Sequence, residues 1–372
     1  MMQGLSVLFG RIQQARRWFS LFSPSISSRP SSPNTGETAA EMSGSLVGDG
    51  YTLARFGENF DIANAEETAQ ILMQTYGKAS GSSYNTGLSV NRRSIEGSKF
   101  FDSSAGNPPA FPIHFHNEMA YSPRFPRYIS FLMIDPAESG GCTTVTDNMK
   151  VESLLSESLK AKLRTLGVQY VRNLDDEADA SSPEFFNSWQ RCFSPSPDTP
   201  FDTLLHEKNG LHRNYCVLPY SERNRKRVQE ITWAPAFHQH PRLGPVLFNS
   251  IMTRHGSWLD GHPVFDSFPL KERPYHSRWG DGTDFSDTEY EEISNAYKDA
   301  TLNFSLQRGD LIVLDNLRMS HGRTPYTGSR RRLGVMVSDL VSWQGTEGGY
   351  PPLPSEVGRL FDEYRNNQRA PV

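Results

Sequence analysis

The sequence is poor in cysteine and lacks long apolar runs, and each shortage excludes a class of protein. Its three cysteines, Cys142, Cys192 and Cys216, are widely spaced and form no C-x-x-C pair, which argues against a disulfide framework and a cysteine-based zinc site. No apolar run approaches the roughly 18 residues that cross a bilayer, so a membrane span is excluded. A formal net charge of −4 over 372 residues gives no reason to expect nucleic acid as a partner. A globular protein with unpaired thiols remains, and the sequence leaves its oligomeric state open.

The first 36 residues contain no acidic residue, although they contain four arginines and end in the Ser/Pro-rich stretch S-P-S-I-S-S-R-P-S-S-P. Apolar residues recur at steps of three and four from Leu5 to Phe22, which predicts one apolar stripe along a helix. An amphipathic, Arg-rich, acid-poor start is typical of an organelle transit peptide, and the alternative is a disordered tail without a targeting function. We expect residues 1–48 to be a disordered extension, with import into a mitochondrion or plastid or else a cytoplasmic location. Residues 49–372 are expected to form a single domain.

Short strand patterns dominate the rest of the chain, and helical spacing is restricted to a few stretches. Strands are predicted at Tyr128–Ile134, Cys142–Val145, Val168–Val171, Leu311–Leu314 and Arg332–Val337. Helices are predicted from a cap at Asn64 to Tyr76, at Val151–Leu166 and at Tyr290–Ala300. The section from about Leu174 to His262 is rich in prolines and aromatics and has no clear period. Many short strands with long loops predict a mainly β fold with peripheral helices, of the double-sheet jelly-roll type.

Two histidines and one glutamate carry the strongest functional signal. His116 and Glu118 are separated by Asn117 in an H-x-E step, and His321 lies far downstream in D-N-L-R-M-S-H-G-R. Residues two apart on a strand point to the same face, so His116 and Glu118 are expected to enter one cavity while Asn117 turns away. Two histidines and one carboxylate form the facial triad of non-haem Fe(II) oxygenases, which keeps coordination positions open. The pattern predicts an iron site.

A bare H-x-E step arises often by chance, and His114 offers a third imidazole on the same strand. The downstream context raises the specificity, because a buried strand and an Asp315-Asn316 turn precede His321. A cupin-type site would need an acid several residues after an H-x-H step, and Glu118 comes too soon after His116 for that pattern. His114 is therefore expected to be buried outside the metal site.

These motifs resemble those of the taurine dioxygenase family of Fe(II)/2-oxoglutarate-dependent oxygenases. The resemblance rests on four segments: His116-x-Glu118, Gly140-Gly141-Cys142-Thr143, Gly309-Asp310 to Asp315-Asn316, and His321-Gly322-Arg323 to Arg330-Arg331-Arg332. It extends from about Tyr84 to Asp339, and H-N-E-M-A-Y-S-P-R-F-P is similar to the branch that contains amino-acid hydroxylases of natural-product pathways. It implies a double-stranded β-helix core, Fe(II) as the metal, and 2-oxoglutarate and O₂ as co-substrates.

The resemblance also implies roles for individual residues. His116, Glu118 and His321 would bind the metal, and Thr143 matches the threonine that hydrogen-bonds the co-substrate. The family's co-substrate arginine lies about eleven residues after the distal histidine, which selects Arg332. Arg331 is the nearest competitor, since neighbours on a strand cannot both face the cavity.

The implied activity is hydroxylation of a small polar metabolite, such as an amino acid or a derivative, with release of succinate and CO₂. Glu118 favours oxygen insertion, because related halogenases carry a small residue at that position. Taurine-type enzymes have another arginine four residues beyond the co-substrate arginine, where this chain has Met336, so a sulfonate substrate is disfavoured. The alternatives are desaturation, epoxidation or cyclisation at the same site, or a non-catalytic jelly-roll binding module.

Overall fold

The structure, a computed structural model, describes residues 39–74, 94–103, 108–178, 188–196, 198–222, 225–262, 264–328, 331–343 and 352–367. Its longer helices are α1 (Ala39–Asp49), α2 (Ile62–Met73), α3 (Asn148–Leu154), α4 (Glu157–Leu166), α5 (Trp189–Phe193), α6 (Phe201–Asn209), α7 (Ile251–Arg254), α8 (Asp287–Asp299) and α9 (Ser355–Asn367). Within the described ranges, no helix has the length and apolar character to cross a membrane. Residues 1–38 of the predicted N-terminal extension lie outside these ranges, and so does Tyr84, where the family resemblance begins.

The strands are short and pair in antiparallel fashion. Most of them pair with strands that are distant in sequence. They are β1 (Tyr51–Arg55), β2 (Asp102–Ser103), β3 (Ile113–His116), β4 (Arg124–Pro126), β5 (Tyr128–Asp135), β6 (Ser139–Gly140), β7 (Thr143–Asp147), β8 (Val168–Leu174), β9 (Tyr215–Glu222), β10 (Arg225–Ala234), β11 (Phe237–His240), β12 (Gly244–Leu247), β13 (Tyr275–Trp279), β14 (Thr301–Phe304), β15 (Asp310–Asp315), β16 (Met319–Arg323), β17 (Tyr326–Thr327), β18 (Arg332–Val337) and β19 (Leu340–Ser342).

Two sheets form the core of the molecule. One has the order β1-β15-β5-β18-β2 and the other β14-β7-β16-β3. Apolar side chains of both sheets, among them Ile129, Val145, Phe304 and Leu314, pack into one cluster between them. Strand β15 is buried along its whole length, which explains its unbroken apolar run. The prediction of a mainly β jelly-roll fold is confirmed.

Helices α1 and α2 cover the outer face of the five-stranded sheet. Leu46 of α1 and Leu72 of α2 pack there with Leu132 and Leu311 of the sheet. Helix α1 begins ten residues before the expected start of the domain at residue 49, and Leu46 is 1% exposed. The folded part therefore starts earlier than the sequence suggested, because an amphipathic face at 39–49 has a sheet to pack on.

Two helix predictions differ from the structure in their caps. Helix α2 begins after Asp61, whose carboxylate accepts from the Ala63 N–H at 2.9 Å, and not at Asn64. The single helix predicted over 151–166 is two helices, because Ser156 caps a second one by accepting from the Leu159 N–H. The helix predicted at 290–300 spans Asp287–Asp299, and Ser286 and Glu289 form a capping box at its start.

A third sheet, with the order β13-β8-β10-β9, is built largely from the section in which no period was visible. Val171 and Ile231 of this sheet pack against Val357 and Phe361 of α9. Its other side faces Tyr121, three residues after Glu118, and Arg254 of α7 across a cavity. The middle of the chain thus provides one wall of that cavity.

Candidate metal centre

The structure brings the three predicted metal ligands together at one end of the jelly roll. Strands β3 and β16 pair so that His116 lies directly opposite His321, with ring centroids 4.3 Å apart. Glu118 Oε2 lies 3.7 Å from His116 Nε2 and 3.5 Å from His321 Nε2. One donor atom from each of the three residues lies within 4.8 Å of the others.

Glu118 reaches this position from a turn and not from a strand, so the predicted strand alternation is wrong in detail. Strand β3 ends at His116, and Asn316 holds the next turn from both sides. The Glu118 N–H donates to Asn316 Oδ1 at 2.7 Å, and Asn316 Nδ2 donates to the Glu118 carbonyl at 3.1 Å. Met119 has φ 59°, a backbone conformation that a side chain makes costly. The surrounding structure therefore imposes the turn that aims the carboxylate.

Hydrogen bonding and packing orient the two imidazoles. His116 Nδ1 lies 2.9 Å from the His114 carbonyl, so this nitrogen carries the proton and Nε2 presents its lone pair to the site. The His321 ring packs on Phe131 at a centroid distance of 5.0 Å. His114 is 9% exposed and does not belong to the group of three, and burial lowers its pKa to about 4. The prediction that His114 is buried outside the metal site agrees with this placement.

A buried polar network supports the ligands from behind. Asn117, which separates the two ligands of the H-x-E step, is 0% exposed. Its Nδ2 donates to the Asn316 carbonyl at 2.6 Å. Its Oδ1 accepts from Asn148 Nδ2 at 2.9 Å and from the Asn249 N–H at 3.0 Å. Ser320, next to the distal histidine, closes the network with Oγ 2.7 Å from Asn148 Oδ1. Such groups fix ligand orientation before a metal arrives.

The donor set fits a divalent transition metal. Nitrogen and oxygen ligands lie about 2.1 Å from such an ion, so two ligands of one ion can be at most about 4.2 Å apart. The two distances from Glu118 to the histidines fall inside that limit. Burial raises the pKa of the Glu118 carboxyl to about 7, although the positive charge of Arg254 acts in the opposite direction. A cation among these groups would favour the ionised carboxylate.

The two candidate co-substrate arginines occupy different environments. Arg332 is 64% exposed at its side chain and forms an ion pair with Asp135, away from the site. Arg331 is partly buried, donates from Nε to the Gly141 carbonyl at 3.1 Å, and has Nη2 3.5 Å from Thr143 Oγ1. Burial lowers the pKa of Arg331. The expectation that Arg332 faces the cavity is corrected: Arg331 alternates with the inward-facing Leu333 and Val335, whereas Arg332 shares the outer face with Met336.

Thr143 lies where the sequence placed it, on the inner side of the jelly roll. It is 3% exposed and two residues before Val145, which lies opposite His321 in the pairing of β7 with β16. Residues two apart on a strand share a face, so Thr143 is on the ligand side about 7 Å further along. Thr143 and Arg331 thus form a second polar position beside the three ligands.

Met336 does not face this site. It packs in the cluster beneath the N-terminal helices, on the outer face of the five-stranded sheet. Val335, four residues beyond Arg331, is the inward-facing residue and is 2% exposed. The residue four positions after the co-substrate arginine is apolar whether that arginine is Arg332 or Arg331. The argument against a sulfonate substrate is therefore unchanged.

A cavity of about 270 Å³ lies between the third sheet and the segment that follows Glu118. Tyr121, three residues after Glu118, and Arg254 of α7 line it at one end. Arg172 and Glu230, from neighbouring strands of the third sheet, also line it. Thr253, the neighbour of Arg254, donates to the His114 carbonyl at 3.0 Å, and His116 Nδ1 contacts the same carbonyl, so this end of the cavity is close to the ligands.

A jelly roll that gathers two histidines and one glutamate on its inner side defines the class of non-haem Fe(II) oxygenases. Residues 38–337 match the family described as "Taurine catabolism dioxygenase TauD, TfdA family", and the chain belongs to this family.

Relatives of this chain include two curated proteins. The chain is 28% identical over 238 residues to the dapdiamide synthesis protein DdaC of Enterobacter agglomerans, a match that covers 60% of this chain and 64% of DdaC. It is 26% identical over 257 residues to the clavaminate synthase-like protein At3g21360 of Arabidopsis thaliana, with coverages of 67% and 72%. The chain thus spans slightly less than two thirds of the length of DdaC.

Two solved structures are similar to the chain at low sequence identity. An asparagine oxygenase in complex with Fe(II), 3-hydroxyasparagine and succinate is 13% identical with a TM-score of 0.43, and the match covers 80% of this chain and 77% of that one. A taurine dioxygenase from Burkholderia xenovorans is 14% identical with a TM-score of 0.43 and coverages of 88% and 92%.

Sequence reasoning missed several residues that the structure brings to the site. Arg254 carries no motif of its own, and Tyr121 lies in the H-N-E-M-A-Y-S-P-R-F-P segment, in which the sequence predicted a role only for His116 and Glu118. The supporting asparagines include Asn249, for which the sequence predicted no role. The sequence feature that could have indicated this network is the set of asparagines at the ends of predicted strands and turns, at positions 117, 148, 249 and 316.

Proposed function

We propose that the protein is an Fe(II)- and 2-oxoglutarate-dependent dioxygenase that hydroxylates a small polar metabolite, such as an amino acid or a derivative. Succinate and CO₂ are the products of the co-substrate. The convergence of His116, Glu118 and His321 on one point is the observation that carries this proposal. Membership of the TauD/TfdA family supports the same reaction class.

His116, Glu118 and His321 would hold the ferrous ion. When bound, Fe(II) with 2-oxoglutarate and O₂ supplies the oxidising chemistry that side chains lack. The chain itself supplies geometry: the His114 carbonyl sets the tautomer of His116, and Asn316 fixes the turn of Glu118. Positioning of this kind contributes much of the rate enhancement in enzymes that bring two reactants together.

Arg331 and Thr143 are the residues that we assign to 2-oxoglutarate. A guanidinium pairs with a carboxylate through two parallel hydrogen bonds, and the side-chain contacts that the described residues offer Arg331 are neutral oxygens and the Tyr326 ring. Arg332, by contrast, already has a carboxylate partner in Asp135. The assignment therefore moves from Arg332 to Arg331.

Burial protects the reaction from bulk water. His321 is 5% exposed, Glu118 is 7% exposed, and the Phe131 ring packs against the distal imidazole. Exclusion of water strengthens electrostatic interactions within a site and limits side reactions.

The direct test is succinate formation by the purified full chain with Fe(II), 2-oxoglutarate and ascorbate under air. We expect slow succinate formation without a substrate and faster formation with members of a panel of small polar metabolites. Product mass then identifies the reaction: a gain of one oxygen means hydroxylation, and a loss of two hydrogens means desaturation or ring closure. A complete lack of succinate across the panel would refute the proposed activity.

We also propose that the N-terminal segment directs import into an organelle. The proposal is supported by its composition, with arginines, serines and an apolar stripe but no acid in residues 1–36. A fluorescent protein fused after residue 48 should enter a mitochondrion or plastid, and a diffuse cytosolic signal would contradict this.

A further inference from the structure

One arginine in the cavity beside the metal ligands lacks the partner that buried arginines usually have. Arg254 of α7 lies between two tyrosine rings, with its guanidinium carbon 4.2 Å from the centroid of Tyr121 and 4.5 Å from that of Tyr275. Its Nε is buried and has no hydrogen-bond partner among the described residues. A buried donor without a partner costs free energy, so such a group needs an explanation.

The rest of the cavity does not supply an acid for it. Glu230 is the acidic residue of the lining, and it already pairs with Arg172 and accepts a hydrogen bond from Tyr215 at 2.8 Å. Lys208 adds a further cation and lies over the Phe193 ring. The described lining therefore has more positive than negative charge, which favours an anionic guest.

The shape of the guanidinium also limits how a guest can bind Arg254. The group is planar with its N–H bonds pointing outward in that plane, and two tyrosine ring centroids lie 4.2 and 4.5 Å from its carbon. A planar anion that approaches in that plane can accept two parallel hydrogen bonds, which is the geometry of a carboxylate. The cavity volume of 270 Å³ corresponds to about nine water molecules at ~30 Å³ each, the scale of a small amino acid.

We propose that Arg254 binds the carboxylate of the substrate, and that the substrate is an α-amino acid or a related small carboxylic acid. This inference rests on the proposed function, because it assigns a substrate group to the same site. Thr253, next to Arg254, donates to the same His114 carbonyl that His116 Nδ1 contacts, so a molecule anchored at Arg254 would lie close to the metal ligands.

The test compares acids with amides. The panel consists of the common L-amino acids and, for each, the corresponding carboxamide, which has the same shape without the negative charge. Two quantities are measured for each probe: the stimulation of succinate formation, and the shift in melting temperature of protein loaded anaerobically with Fe(II) and 2-oxoglutarate. The wild-type protein should prefer at least one acid over its amide by about ten- to hundred-fold in kcat/KM, the scale of a charged hydrogen-bonded pair.

The variants R254M, R254Q and R254K separate recognition from folding. R254M and R254Q should reduce the acid-over-amide ratio to about one, and R254K should keep part of it, since it retains the charge without the planar fork. A purely structural role would lower turnover of acid and amide alike and leave their ratio unchanged. R308M, which removes an exposed arginine paired with Asp135 outside the cavity, is the matched control.

The outcomes distinguish this inference from the proposed function. Succinate formation without any acid preference, or an acid preference that survives in all three Arg254 variants, overturns the role of Arg254 alone. Acid-specific thermal shifts that depend on Arg254, without succinate formation from any probe, overturn the proposed activity and keep the binding site.

Discussion

The polar groups behind the metal ligands and those in the cavity in front of them differ in how they are satisfied. Behind the ligands, Asn117 makes hydrogen bonds from both ends of its amide to groups in distant parts of the chain. In front, the guanidinium of Arg254 is held by tyrosine rings but lacks an acid among the described residues. The contrast teaches that the first region is complete in the folded protein, whereas the second is complementary to a charge that a ligand brings.

Loss of a metal ligand would remove the metal site that lies between the two regions. This change has the largest expected effect on activity. Glu118→Ala should eliminate succinate formation, and bound iron after anaerobic reconstitution should fall far below one per chain. His206, an exposed histidine on α6, offers the control His206→Ala, which should retain iron and activity. Full activity in Glu118→Ala would show that the cluster is not the metal centre.

The supporting region is tested by Asn117→Ala. The truncation leaves buried donors and acceptors without partners, at about 1–3 kcal/mol each, so the melting temperature should fall clearly. Metal affinity should fall about 10- to 100-fold, as is typical when groups that orient ligands are removed. Asn303→Ala, at an exposed position of the same four-stranded sheet, should change neither quantity. Equal metal affinity in Asn117→Ala and the wild type would contradict the role of the network in orienting the metal ligands. The network would then stabilise only the fold.

The neighbouring arginines give a sharper test with a smaller effect. Arg331→Met should raise the KM for 2-oxoglutarate about tenfold or more, the value of a charged hydrogen-bonded pair. Arg332→Met removes an exposed ion pair and should leave this KM within about twofold of the wild type. The reverse result would return the co-substrate role to Arg332.

The smallest effect on activity is expected from Asp315, which supports the turn before Asn316. Burial tends to raise the pKa of Asp315, but hydrogen bonding to His240 and the charge of Arg127, each 3.0 Å from Oδ2, outweigh it and the pKa is lowered. A lowered pKa stabilises the fold above the unfolded-state value of about 4, and this stabilisation is lost as the pH falls through the folded-state value.

Asp315→Asn should therefore cost about 3 kcal/mol of unfolding free energy near neutral pH, because Arg127 keeps a buried charge without its acid. The difference from the wild type should shrink as the pH falls below about 4. Denaturant unfolding of both proteins across this range measures it. A difference that is independent of pH would show that the carboxylate charge does not matter.

The sequence predicted those parts of the protein that depend on local pattern and side-chain chemistry. Unbroken apolar runs marked β5 and β15, and the H-x-E step with a distant histidine marked the residues that converge. Of the third sheet only β8 was predicted in part, because β9 and β10 are specified by long-range pairing, such as Ile231 with Val171, and not by a visible apolar period. The choice between Arg331 and Arg332 depended on which face of β18 packs inward, and the packing of the sheets decides that.

The environment of a side chain also could not be read from the sequence. Arg254 looked like any other arginine until the fold placed it between Tyr121 and Tyr275, which are far apart in the chain. The Asn117 network joins residues that lie up to 203 positions apart. Contacts between residues so far apart in the sequence are determined by the topology of the sheets, which local sequence patterns do not reveal.

The central claim, that His116, Glu118 and His321 hold a ferrous ion which takes up 2-oxoglutarate, is tested most directly by anaerobic titration followed by visible absorption. Addition of 2-oxoglutarate to the Fe(II)-loaded wild-type chain should produce a charge-transfer band. The band should saturate near one equivalent of 2-oxoglutarate per bound iron. The band should be missing in His116→Ala. Its absence in the wild type, or its full persistence in His116→Ala, would contradict the account.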